Sequence, residues 1–118
     1  MAETVTNRSR TSAQKTIWSA SAAQDLRGIV QYIGNESTMD AISALNAIKD
    51  RVQALSQLPD KGRTVPELAD QQITIYRELI IAPYRVIYRA DETTIAIVAV
   101  FDSRRELTDV LLNRILKA

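Results

Sequence analysis

Six arginines and three tyrosines carry most of the chemistry this sequence could perform. Arg77, Arg85 and Arg89 are interleaved with Tyr76, Tyr84 and Tyr88 in one largely apolar stretch. Arg63 stands in the loop before it, and Arg104 and Arg105 follow the next apolar run. An arginine cluster among aromatics can hold phosphates and stack bases, or accept an acidic or mixed peptide. The same guanidinium groups could instead pair with Glu67, Glu78 or Glu106 and pin the loop to a sheet, because arginine is rarely buried without a partner. General acid–base catalysis would have to draw on Glu78, Glu67, Lys61, an arginine or a tyrosine. None of these has a distinctive spacing. Asp102 and Glu106, four residues apart, suit a helix cap or an ion pair better. Gly62 alone makes no phosphate loop.

Composition narrows the chemistry further. The chain has no cysteine and no histidine, so a disulfide framework, a thiolate or imidazole metal site, a Ser-His-Asp triad and a Cys-His pair are all excluded. No metal or cofactor is expected. The net charge of +1 gives no global attraction to nucleic acid. Eleven of the fifteen basic residues are arginine, the side chain suited to two-pronged contacts with carboxylate or phosphate. No run of about 18 apolar residues occurs, so no membrane partner is expected, and the N-terminus lacks the apolar core of a signal peptide. A cytoplasmic location follows.

A length of 118 residues predicts one domain. Residues 1–13 are polar and rich in Ser and Thr, which predicts a flexible tail, and residues 14–118 form the domain. Gln14 to Ser19 reads as a short strand carrying Trp18, a packing residue. Ser21 to Gln24 fits a capping box, with Asp25 in the first helical turn. Leu26, Ile29, Val30 and Ile33 then mark one helical face, and Gly34-Asn35 a stop. Ser37 or Thr38 restarts a helix whose apolar positions are Ile42, Leu45, Ile48, Val52, Leu55 and Leu58, ended by Pro59. The short connection predicts an antiparallel helical hairpin. A loop covers residues 60–68. Ile73 to Ile81 and Tyr84 to Arg89 read as strands around Ala82-Pro83, and Thr94 to Phe101 as a central strand covered on both faces. Ser103 is a candidate cap for a last helix with a stripe of Leu107, Val110, Leu111, Ile115 and Leu116. The fold class is therefore α+β, in the order β-α-α-β-β-β-α. A helical hairpin packs on one face of a small curved antiparallel sheet; the other face is either bare or has the C-terminal helix against it or its edge.

Several blocks together resemble one family. Gly62-Arg63, Pro66-Glu67-Leu68, Arg77-Glu78-Leu79, Tyr84-Arg85-Val86-Ile87-Tyr88-Arg89 and Arg104-Arg105 are similar to the RelE/ParE superfamily of bacterial type II toxins, as are Ala22-Ala23-Gln24-Asp25-Leu26 and Tyr32-Ile33. The resemblance runs from about residue 16 to 117. Its RelE-like branch cleaves mRNA on the ribosome, and on that branch the resemblance implies a catalytic group of Arg85 and Arg104 with Glu78 or Tyr84. Yet Tyr76 and Glu78 stand where such ribonucleases carry lysines, and Val110 where they carry a tyrosine.

The ParE-like branch resembles the chain better, through its helical hairpin, Pro-Glu-Leu loop and Arg-Glu-Leu strand. It implies a non-enzymatic toxin that binds DNA gyrase, impairs supercoiling and is neutralised by a cognate antitoxin. DNA is then touched only through gyrase or the antitoxin, and a toxin dimer within the complex is allowed. Phe101-Asp102-Ser103 replaces the histidine frequent before the arginine pair in this branch. On this reading Arg63, Glu67, Arg77, Glu78, Tyr84, Arg85, Tyr88, Arg89, Arg104 and Arg105 form a charge cluster, partly paired internally and partly offered to a protein partner.

Overall fold

The computed structural model describes residues 14–104 and 106–117. The tail expected over residues 1–13, and Arg105, lie outside the described residues. The elements are β1 (Lys15–Trp18), α1 (Ala20–Gly34), α2 (Thr38–Ala54), β2 (Arg63–Thr64), α3 (Pro66–Ala69), β3 (Tyr76–Ile81), β4 (Tyr84–Ala90), β5 (Thr94–Asp102) and α4 (Thr108–Leu116). The architecture is the expected one, a helical hairpin, a sheet and a C-terminal helix. The loop between α2 and β3 adds a two-residue strand and a single helical turn.

β3 and β4 form the hairpin around Ala82 and Pro83, and the sheet order is β1-β5-β4-β3-β2. β2, β3, β4 and β5 pair antiparallel, while β1 runs parallel to β5. β1 precedes the helical hairpin, and such a long crossover is what a parallel neighbour requires. Pairing of β3 begins at Tyr76 opposite Arg89, one residue short of the end of β4. Ile73, read as strand, instead donates its amide to the Leu68 carbonyl after Gln72 reverses the chain at φ 62°. Ile75 is left exposed.

The strands bury both faces. On one, Leu79, Val86, Tyr88, Ile95, Ile97 and Val100 pack against Leu26 of α1 and Ile48, Val52 and Leu55 of and just after α2. On the other, Ile87, Ala99 and Phe101 pack against Leu68 beside Leu107 and Leu111. A bulge lets β5 serve both faces. Ile87 faces Ala99 while Tyr88 faces Ile97, so Val98 is the extra residue and the alternation shifts by one beyond it. The C-terminal helix thus lies against the face opposite the hairpin.

Several local expectations are corrected. Ser19, not Ser21, caps α1: its hydroxyl accepts from the Ala22 amide at 3.0 Å. Asp25 is consequently beyond the first turn. The second helix ends at Ala54, because Leu55, Ser56 and Gln57 donate to carbonyls three residues back and tighten the chain. That turn leaves Leu58 exposed, and Ile42 is exposed as well. Ser103 does not cap the last helix. It starts at Thr108, whose amide donates to the Glu106 carboxylate at 2.7 Å, and its Leu116 faces outward. Glu106 is held below the usual carboxyl range chiefly by that backbone bond.

Candidate functional site

The strand arginines do not form one constellation, because alternation along β3 and β4 divides them between the two faces. Arg63, Glu78 and Arg85 share the α3 and α4 face. Arg63 sits opposite Glu78 in the β2–β3 pair, and Arg85 lies diagonally across β3–β4 from Glu78. Pro66 starts α3, a single turn that brings Glu67 over the same spot. The Arg85 fork is two-pronged on Glu67, with Nη1 to Oε2 at 2.6 Å and Nη2 to Oε1 at 2.7 Å. Its Nε donates to Glu78 Oε1 at 2.6 Å. The second oxygen of Glu78 accepts from Arg63 Nε at 2.6 Å.

Glu78 is 1% exposed and Arg85 6%. Charges so desolvated persist only when paired and hydrogen-bonded. Two guanidinium groups and two carboxylates make the cluster neutral. Hydrogen bonds from Arg85 hold the Glu67 carboxyl below the usual carboxylate range, and Glu67 and Glu78 push Arg85 further up. The arrangement ties β2, α3, β3 and β4 together.

Arg77 lies on the hairpin-facing side. Its Nη1 donates to the Gly62 carbonyl at 2.8 Å, and its Nε is 3.7 Å from Asp60. Tyr88 is fully buried on the same side. Its hydroxyl donates to the Pro59 carbonyl at 2.7 Å and accepts from the Gly62 amide at 2.9 Å. Burial pushes this phenol above its ordinary value. Tyr84 and Arg104 line a cleft of about 430 Å³ with Tyr32 of α1 and Arg114 of α4. Arg104 binds Asp102 through Nε at 2.9 Å and again through Nη2. That pair raises the arginine. Arg89 is exposed at the end of β4. The four residues of the ribonuclease reading are therefore separated: Arg85 and Glu78 face one side, and Tyr84 and Arg104 belong to the cleft beside α1.

One pair was not foreseen. Asp25 accepts from Arg114 and from the Val100 amide, and Arg114 also donates to the Val98 carbonyl. The Arg114 guanidinium lies 5.2 Å from the Phe101 ring centroid. Residues 89 apart in sequence leave no local signal of such a contact.

A helical hairpin on one face and a C-terminal helix on the other of a sheet built from a β-hairpin is the fold of ParE and RelE toxins. A chain of the chromosomal ParDE TA system from P. aeruginosa matches it with a TM-score of 0.61 and 22% identity, covering 76% of this chain and 96% of that one. A chain of the toxin–antitoxin complex RelBE2 from Mycobacterium tuberculosis matches with a TM-score of 0.56 and 20% identity, covering 76% of this chain and 91% of that one. No curated protein sequence matches significantly. Residues 16–107 match the family described as ParE toxin of type II toxin-antitoxin system, parDE, and the chain belongs to that family.

Proposed function

We propose that this toxin acts by binding DNA gyrase and impairing its supercoiling, without catalysing a reaction of its own, until its cognate antitoxin occupies it. It would act in the cytoplasm, where gyrase works on the chromosome. The observation that carries the reading is the state of Arg85. All three nitrogens of its fork are engaged by Glu67 and Glu78. A phosphate-gripping arginine needs donors turned toward its substrate, and these are turned inward. Ribonuclease chemistry also needs groups that take and deliver protons around one phosphate. The candidates for that work lie in two places.

The test is a supercoiling assay with purified gyrase. Added toxin should block supercoiling and leave cleaved DNA, and antitoxin should reverse both. Unaffected gyrase, together with mRNA cut in the ribosomal A site of a translation extract, would replace this reading with the ribonuclease one.

A further inference from the structure

A hollow of about 470 Å³ lies between the start of α1 and α4. Val98, the bulged residue of β5, and Val110 and Ile115 of α4 give it an apolar wall. Ser19, Ser21, Asn113 and Lys117 supply polar groups. No Asp or Glu lines it.

Tyr76 lines the same hollow, and its hydroxyl differs from that of the other buried strand tyrosine. Tyr76 is 7% exposed and Tyr88 fully buried. The Tyr88 hydroxyl has a donor in Gly62 and an acceptor in Pro59. Among the described residues the Tyr76 hydroxyl has no hydrogen-bond partner. A buried phenol ordinarily finds one. On the wall of a hollow, the missing bond is left for whatever enters.

The other polar groups favour one sign of charge. Ala20 and Ser21 open α1, and among the described residues their amides have no acceptor. The first turn of α1 carries no acidic residue, so nothing on the helix itself offsets its positive end. Of the two cations in the lining, Arg114 is given to Asp25 and the Val98 carbonyl. Lys117 is exposed and, among the described residues, belongs to no ion pair.

We propose that this hollow binds a small organic carboxylate with an apolar body. Lys117 and the start of α1 meet the charge, the Tyr76 hydroxyl adds a hydrogen bond, and the body packs on Val98, Val110 and Ile115. One uncommitted cation matches a single negative charge better than a phosphate dianion. Bound there, the ligand joins the start of α1 to the end of α4. The site does not depend on the action on gyrase, so either can fail without the other.

The test titrates the full chain with phenylacetate and, separately, with isovalerate, followed by backbone amide chemical shifts. Saturable shifts are expected at Ser21 and Lys117. Phenylacetamide, the uncharged analogue, should bind about tenfold more weakly or worse. Lys117→Gln and Tyr76→Phe should each weaken phenylacetate binding about threefold to tenfold. Tyr76→Phe should leave the urea midpoint of the free chain unchanged, since it removes a hydroxyl that has no protein partner. A lowered midpoint would show that hydroxyl already satisfied and would overturn the proposal. So would a failure of both acids to give saturable shifts, shifts confined to the cleft of Tyr32 and Tyr84, or phenylacetamide binding as tightly as phenylacetate. Tighter binding of inorganic phosphate at the same amides would overturn the choice of a carboxylate.

Discussion

Asp25 of α1 and Arg114 of α4 close the edge of β5 where β1 no longer covers it. Arg114 Nη1 lies 3.0 Å from Asp25 Oδ2 and 2.9 Å from the Val98 carbonyl, and Asp25 Oδ2 accepts the Val100 amide at 3.0 Å. β1 reaches only to Ile97. The pair thus satisfies backbone groups that a strand would otherwise take, and anchors α4 to α1. Arg114→Ala leaves the Val98 carbonyl and Asp25 without this donor. A loss of about 1–3 kcal/mol is expected, the range for stranded, partly buried polar groups. Urea unfolding checks it. A midpoint unchanged by Arg114→Ala would mean that the pair contributes nothing to holding α4.

The buried cluster behaves differently from an exposed ion pair. Glu78→Ala leaves buried Arg85 held by Glu67 alone, with its Nε lacking an acceptor, and should cost about 1–3 kcal/mol. Replacing Glu78 and Arg85 together with apolar residues of similar volume should cost much less than the sum of the single changes. A double-mutant cycle by chemical denaturation measures this. Additive losses would contradict the coupling that the geometry implies.

Acid should loosen the same cluster through Glu67. Bonds from Arg85 lower its carboxyl below the usual 4.5, so the folded state favours the carboxylate. The resulting stability is present above about pH 4.5 and is lost as pH falls through the lower, folded-state value. Glu67→Gln should flatten that part of the acid limb while lowering stability at pH 7. Denaturation midpoints across the acid range would show it. A variant with the parent's acid slope would assign that dependence to another group.

Gly62 allows the loop after α2 to lie against the sheet. A Cβ there would stand 2.6 Å from both the Glu78 carbonyl and the Tyr88 hydroxyl. Backbone cannot yield cheaply, so Gly62→Ala should destabilise by about 1–3 kcal/mol, as overpacking does. Tyr88→Phe, which removes the bonds to Pro59 and Gly62 without adding bulk, should cost about 1–3 kcal/mol. Thermal unfolding distinguishes the two from neutral changes.

Arg104 separates the two activities the fold is associated with. The arginine side of its pair with Asp102 is open to solvent, and such pairs add little to stability. Arg104→Ala should therefore fold normally and, under the proposed function, act on gyrase no less strongly than the unchanged chain. An activity on mRNA abolished by Arg104→Ala would show that the arginine contacts a reactive phosphate.

Much of this molecule was legible in its sequence. Leu26, Ile29 and Val30, then Leu45, Ile48 and Val52, recur at helical spacing, and that period alone places two amphipathic helices with a short link. The β-branched runs around Ala82-Pro83 mark a hairpin by the same kind of local rule. The blocks from Gly62 to Arg105 carry the family resemblance, which the match over residues 16–107 bears out. Boundaries were less legible. The end of α2 depends on three tightened bonds, and the start of β3 on where its partner strand stops.

The distribution of charge belongs to the tertiary structure. The sequence determined that six arginines and their glutamates would be present near the strands. It could not determine which faced which. Period-two alternation sends Arg85 and Arg77 to opposite faces, and a single bulge at Val98 decides which β5 residues meet each. One turn of helix at Pro66 then delivers Glu67 to Arg85, and α4 delivers Arg114 to Asp25. Ion pairs between distant segments depend on through-space distance, which is set only once the sheet is assembled. That assembly pairs Arg63 and Arg85 with Glu67 and Glu78 in a neutral brace.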